Sequence, residues 1–377
     1  MSEKNLSVTI VENQYLLKKS NIVSVQDLKE NDEIWNGYTF KKIKSIEKID
    51  NKDLFLVKTK LGFSLITNKD QKIKILNKEN VKIKDVRLDD IAQISINNEF
   101  EVLNSKLQKI IFKDFQDRII EEKTLDKELA FLLGICYRSV AITGGSIKIP
   151  LKNISNKRLQ KIIISLNKHG FVFDFTASRN EIEIYSSLLV NLLKSVNVQS
   201  PTKTFILKQV LNSKKDVQIK FIKGLFDTIQ TYEYMSFASS SPLLVSQLQN
   251  LFSFYNIVFS VKSFKDSLKC SVTNHFYHKK LILFLYDNTD FLKIKETSKL
   301  LFTTLSFSKD LKIENKGYLT IEDFSMLSKN DVNSKKSLFI QDSIIYCGDY
   351  KEKEQAYKVT FKNDTNSCIC NNFYLNV

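Results

Sequence analysis

The residues able to do acid–base, nucleophilic or metal chemistry are few and poorly grouped. Histidine occurs only at His169, His275 and His278. Nothing before residue 169 can therefore use an imidazole as base or ligand. His275 and His278 stand three apart without a carboxylate or cysteine in register, and they read as surface side chains. The five cysteines (Cys136, Cys270, Cys347, Cys368, Cys370) are scattered, odd in number and form no CxxC pair. Neither a disulfide framework nor a zinc site is expected. Cys368-x-Cys370, with no nearby histidine, reads as two core thiols. Positive charge is plentiful: 57 Lys and Arg against 42 Asp and Glu give a formal +15. That excess favours an anionic polymer as partner, most simply nucleic acid. A Lys-, Asn- and Ile-rich chain with 9 Gly and 3 Pro also arises from A/T-biased coding alone.

The elements that must position these groups fall in three stretches. A length of 377 residues allows two to three domains, and 43% hydrophobic residues can bury a real core. No apolar run reaches the roughly 18–20 residues of a membrane span. Met-Ser-Glu-Lys-Asn lacks the layout of a secretory signal. An intracellular protein is expected, its compartment left open. The first ~105 residues alternate apolar and polar, as in Leu54 to Leu65 and Lys72 to Ile75, the period of half-buried strands. Asn36-Gly37 and Leu61-Gly62 sit where hairpin turns belong. Trp35 fits a small β-core.

From Leu125 to Tyr137 the pattern is helical, apolar on more than one face. Then follow a strand (140–151), a helix (156–168), two strands (172–177, 181–185) and a helix (187–194). The order recurs: a helix (217–228), a strand (232–239), a helix (242–254), two strands (258–263, 268–273) and a helix beginning at His278. Leu133-Gly134-Ile135 answers Lys223-Gly224-Leu225, and His169-Gly170-Phe171-Val172 answers Tyr255-Asn256-Ile257-Val258. An internal duplication of about 90 residues is the most informative global feature. Beyond residue ~335 the chain returns to β-like pieces, Ser337–Tyr346 and Ala356–Phe361.

Leu129 to Val140 resembles the first LAGLIDADG motif of homing endonucleases, and Phe221 to Gln230 resembles the second. Ser236 to Leu251 matches the family's strand leading into a Ser-capped helix. The resemblance implies two motif helices packed side by side at a pseudo-twofold, with Gly134 and Gly224 allowing the close approach. It implies strands forming a saddle for the DNA major groove. It also implies an acid at each helix end holding divalent metal over a scissile phosphate. Those two positions are Ser139 and Ile229 in this chain, a weak neutral ligand and none. Asp227 is a residual acid two positions upstream, about 200° around the helix. No metal or other cofactor is expected, Mg²⁺ entering only if cleavage survives. Lys148, Lys152, Arg179, Lys262, Lys265 and Lys269, on and beside the saddle strands, are candidates for phosphate contact.

The flanks carry a second resemblance. Val23 to Trp35, Leu56 to Asp70, Lys82 to Ile91, Ala356 to Phe361 and Asn366 to Val377 are similar to blocks of the Hint (intein) domain. Splicing would need an N-terminal Cys or Ser nucleophile, a block histidine and a closing His-Asn. In this chain the block histidine falls on Asp70 and the closing pair on Asn376 and Val377. A carboxylate opposes a developing oxyanion, and valine cannot cyclise to a succinimide. Splicing is expected to be absent, with no flanking segment to join.

The expected fold is α+β: a Hint-like all-β domain split by a duplicated LAGLIDADG α/β saddle. Its parts are residues 1–110, 120–330 (repeats about 124–200 and 215–300) and 335–377. The expected function is nucleic-acid binding, duplex DNA ahead of structured RNA, without cleavage or splicing, and with no membrane partner. The alternatives are an active site-specific endonuclease and a structural subunit that binds protein in a larger assembly. A single-chain duplicated saddle makes monomer the default.

Overall fold

Alternation of apolar and polar residues builds ten strands before residue 97. They are β1 (Ser7–Val11), β2 (Tyr15–Lys18), β3 (Asn21–Ser24), β4 (Glu33–Trp35), β5 (Phe40–Ile49), β6 (Leu54–Thr59), β7 (Ser64–Asn68), β8 (Lys72–Ile75), β9 (Lys78–Lys82) and β10 (Ile91–Ile96). In β7 and β8 the buried positions are Leu65, Thr67, Ile73 and Ile75, every second residue along each strand. Gly62, at φ +87°, makes the expected β6–β7 turn. Trp35 is 2% exposed and its ring lies 5.0 Å from that of Phe40. The computed structural model describes residues 7–18, 21–36, 39–50, 53–76, 78–96, 108–137, 141–151, 156–176, 180–200, 202–227, 236–255, 257–264, 267–272, 281, 285, 338–352, 354–362 and 367–376.

The pattern changes after residue 108. β11 (Lys109–Lys113) and β12 (Ile119–Thr124) form a hairpin where the sequence reading places no element. Next come α1 (Lys127–Cys136), β13 (Ala141–Thr143), β14 (Ser146–Pro150), α2 (Asn156–Lys168), β15 (Val172–Thr176), β16 (Glu181–Tyr185) and α3 (Ser187–Ser195). The first hairpin packs here: Asn191 Nδ2 donates to the Lys113 carbonyl at 3.1 Å. A short helix α4 (Lys208–Leu211) leads to α5 (Lys215–Asp227), β17 (Ser236–Ser239), α6 (Pro242–Phe254), β18 (Phe259–Phe264) and β19 (Ser267–Val272). The strand expected over 140–151 is instead a hairpin. Gly144 and Gly145, at φ +54° and +93°, reverse the chain so that Thr143 pairs with Ser146. Two successive left-handed residues favour a two-residue turn over a continuous strand. Of the helix expected from His278, Leu281 and Leu285 are described; both are helical and buried. His275 and His278 lie outside the described residues.

Helix starts follow their capping residues. The side chains of Asp126, Ser186 and Ser241 accept from the backbone N–H of Leu129, Leu189 and Leu244, opening α1, α3 and α6. Every α1 residue from Leu129 to Cys136 is buried, as its all-round apolar pattern requires.

The last segment supplies β20 (Leu338–Asp349), β21 (Ala356–Phe361), β22 (Ser367–Cys370) and β23 (Phe373–Asn376). These interleave with the N-terminal strands in a set of fourteen ordered β1-β21-β5-β4-β2-β22-β23-β8-β10-β20-β6-β7, with β3 on β2 and β9 on β8. Thus β21 lies between β1 and β5, and β20 between β10 and β6. Strands from residues 7–96 and 338–376 make one β-body, and the described elements from β11 to β19 make the α/β insert. Cys368 and Cys370 are buried in β22. Besides the β11–β12 hairpin, the described part of the insert carries two larger sheets, β13-β14-β16-β15 and β17-β19-β18. Among the described residues no helix is long and apolar enough to cross a membrane, which says nothing of a β-barrel.

Candidate functional site

The insert is organised by α1 against α5, and two glycines set their separation. A Cβ on Gly134 would fall 2.1 Å from the Phe221 carbonyl oxygen and 2.9 Å from the Leu225 nitrogen. A Cβ on Gly224 would fall 2.1 Å from the Phe131 carbonyl oxygen and 3.0 Å from the Ile135 nitrogen. Each helix therefore meets its partner through the same three positions, the reciprocity of a twofold contact. At the N-terminal ends Lys127 Nζ reaches Asp216 Oδ2 at 3.0 Å. The N-cap Asp126 meets two side-chain nitrogens: Lys168 Nζ lies 2.8 Å from one oxygen and His169 Nε2 3.0 Å from the other. Burial pushes its pKa up, but the Leu129 N–H, Lys168 and His169 outweigh that and hold it below the usual carboxylate value.

The C-terminal ends of these helices are where the resemblance puts metal-holding acids. Ser139 and Ile229 lie outside the described residues. Asp227 closes α5 and is 4% exposed, a carboxylate covered by protein rather than offered at an open surface. No cluster of three or more His, Cys, Asp or Glu able to hold a metal occurs among the described residues. A hydroxyl, a hydrocarbon and one covered carboxylate do not fit the donor set of a hard divalent cation.

Both sheets bury one face and leave the other outward. In the first, Ile147, Ile149, Ile182 and Ile184 are fully buried. The opposite face carries the cross-strand row Lys148–Glu183–Asp174, with Glu181 in the next row. Lys148 Nζ lies 3.6 Å from Glu183 and 3.9 Å from Glu181. The Ser146 hydroxyl donates to Glu183 at 2.5 Å and, with Lys148, lowers the Glu183 pKa. Lys148 therefore stands between two carboxylates of its own sheet. In the second sheet the equivalent row, counted outward from the hairpin turn, is Ala238–Lys269–Lys262. Lys262 and Lys269 are directly opposite each other and exposed. Among the described residues no carboxylate is paired with either. Lys152, Arg179 and Lys265 lie outside the described residues.

The β-body docks on the second sheet. The Val261 N–H donates to the Leu61 carbonyl at 2.8 Å, and Gly62 leaves no room for a Cβ, which would fall 2.6 Å from the Val261 oxygen. Gln247 bridges three elements: Nε2 donates to the Tyr15 hydroxyl at 2.6 Å and Oε1 accepts from the Ile206 N–H at 2.6 Å. A cleft of about 680 Å³ opens beside this junction, with Lys58, Lys60 and Lys262 in its wall.

Within the β-body the expected splicing positions converge. Asn376 pairs with Lys72, two residues from Asp70. Gln71 Oε1 accepts from the Thr9 N–H at 3.1 Å, and Thr67 Oγ1 donates to the Thr9 carbonyl at 2.6 Å, bringing β1 to the same place. Asp70 is paired with Lys84 at 2.7 Å and Lys82 at 3.5 Å, which lower its pKa. Val377 lies outside the described residues. Sequence reasoning missed Gln71, Glu181 and Glu183. The outward parity of the two glutamates within Glu181–Tyr185 was the available signal.

No family model and no curated protein matches the chain. Solved structures do. The chain is similar to variants of the homing endonuclease I-DmoI, with 12% identity over 44% of this chain and 97% of that one, at a TM-score of 0.34. It is also similar to the homing endonuclease I-WcaI bound to its DNA recognition sequence, with 14% identity over 44% and 83% at a TM-score of 0.28. A DnaB intein from Synechocystis matches with 17% identity over 23% and 67% at a TM-score of 0.22. At TM-scores this low the likenesses carry no weight beyond the chain's own geometry.

Proposed function

We propose that the chain is a nucleic-acid-binding protein, with duplex DNA ahead of structured RNA as its partner, that neither cleaves its partner nor splices itself. The observation that carries this reading is Lys262 opposite Lys269 on an exposed sheet face, with no carboxylate paired to either among the described residues. Like charges directly opposed across a sheet are destabilising, and a bound phosphate turns that repulsion into attraction. The reciprocal glycine contact supports a duplicated saddle, residues 120–330, set into a β-domain made of residues 1–110 and 335–377. Ser139 and Ile229 at the acid positions support loss of cleavage, and Asp70 and Val377 support loss of splicing.

The test is binding of the purified chain to a labelled random-sequence duplex at several salt concentrations. Affinity is expected to fall with salt, each neutralised phosphate adding about −0.9 to the log–log slope. A flat response sinks the binding reading. Incubation with Mg²⁺ or Mn²⁺ is expected to leave the duplex intact. Site-specific breaks abolished by Asp227→Ala overturn the loss of cleavage.

A further inference from the structure

Among the described residues the two outward faces of the insert have opposite charge. On the first sheet the described outward residues include three carboxylates, Asp174, Glu181 and Glu183, and one ammonium, Lys148. On the second they include two ammonium groups, Lys262 and Lys269, and no carboxylate. The inversion occurs at equivalent places. Asp174 and Glu183 form the second outward pair from the β15–β16 turn, and Lys262 and Lys269 form the second outward pair from the β18–β19 turn.

We infer that nucleic acid is held by one half of the saddle only, the second, and that the first half stands off the duplex. The inference rests on the binding reading above and adds where the partner lies. A twofold pair of sheets offers a duplex two like surfaces, but a duplex presents phosphate along its whole length. Carboxylates at the first surface meet that phosphate within a Debye length of about 8–10 Å, where salt does not hide them. A carboxylate can instead accept from a cytosine amino group in the major groove. Glu183, however, is engaged by the Ser146 hydroxyl, Lys148 and Tyr185, so its oxygens are committed within the sheet. Lys148 lies between Glu181 and Glu183, so a phosphate brought to it meets two carboxylates for one ammonium. The β-body docks beside the second sheet, where Lys58, Lys60 and Lys262 share a cleft with Glu12, Glu352 and Glu354, so the excess of positive charge on this side rests on the Lys262–Lys269 pair.

The experiment compares salt slopes for the full chain and three variants on the same random-sequence duplex. Each variant is first checked by a thermal melt, since all the substitutions are on outward positions. Lys262→Ala with Lys269→Ala is expected to lower the slope by about 1.8, two contacts at about 0.9 each. Lys148→Ala is expected to leave it unchanged. Asp174→Asn with Glu181→Gln and Glu183→Gln is expected to tighten binding and steepen the slope by about 0.9, as Lys148 becomes available. If the wild type binds but Lys148→Ala cuts the slope as deeply as losing a second-sheet lysine, the one-sided placement is wrong. It is equally wrong if the carboxylate-free variant binds no tighter. A wild type that binds no duplex ends the binding reading and this inference together.

Discussion

Gly134 and Gly224 touch: a Cβ on Gly224 would lie 3.1 Å from the Gly134 Cα, and each glycine abuts a carbonyl oxygen of the opposite helix. No side chain fits between them, so the α1–α5 spacing is set by backbone against backbone.

Gly134→Ala and Gly224→Ala must therefore push the helices apart. Each is expected to cost about 3 kcal/mol, the upper part of the overpacking range. Urea unfolding followed by circular dichroism measures it. A loss below about 1 kcal/mol at either position means that the contact is looser than described.

Gln247→Ala removes a bridge between the β-body, the 204–207 segment and α6. It leaves the buried Tyr15 hydroxyl and the Ile206 N–H without that partner, at about 1–3 kcal/mol for each unsatisfied group. Burial pushes the Tyr15 phenol up to about 12, so it stays a neutral hydroxyl throughout the physiological range. The expected readout is faster protease cleavage between the β-body and the insert, with Trp35 emission unchanged because its core is untouched. A red shift of Trp35 would show instead that the β-body itself had loosened.

Asp126→Ala tests the cap of α1. At neutral pH the lost cap is expected to cost about 1 kcal/mol. The Asp126 pKa is lowered in the folded chain. Its stabilisation is thus complete above the unfolded carboxylate value of about 3.9 and is lost as pH falls through the lower folded value. Wild type and variant should therefore converge in stability at strongly acid pH. A gap that persists there assigns the cost to packing instead of charge.

Thiol labelling separates the cysteines. Burial pushes Cys136 and Cys270 up to about 12 and raises Cys368 and Cys370 as well. Cys347 is half-buried, its pKa also raised. At neutral pH a thiol reagent is expected to reach Cys347 first and the other four only on unfolding. Rapid native labelling of Cys368 or Cys370 would contradict their place in the core.

Much of this architecture was legible in the residues. The two glycines, the all-round apolar α1 and the Ser-capped α6 announced a helix pair with attendant strands, because those features are local. The β13–β14 hairpin was hidden: its two strands are short enough to read as one, and only Gly144-Gly145 betrays the reversal. The sign of each outward face was not legible from lysines alone. Lys148 looked like Lys262 until long-range register set Glu183 beside it and Lys269 opposite the other. Charge at a surface is a property of neighbours across strands, and single positions do not carry it.

The weaving of β20 through β23 among the first ten strands has a consequence for synthesis on the ribosome. Strands β1, β5, β6 and β10 emerge with vacant edges that β20 and β21, made after the insert, fill. The inserted saddle, complete in sequence by then, has time to form first, domains generally folding as units during elongation. Until those strands arrive, the nascent N-terminal strands carry exposed sheet edges of the kind that invite aggregation. Newly made chains should for that reason lean on chaperones until β20 and β21 have been made.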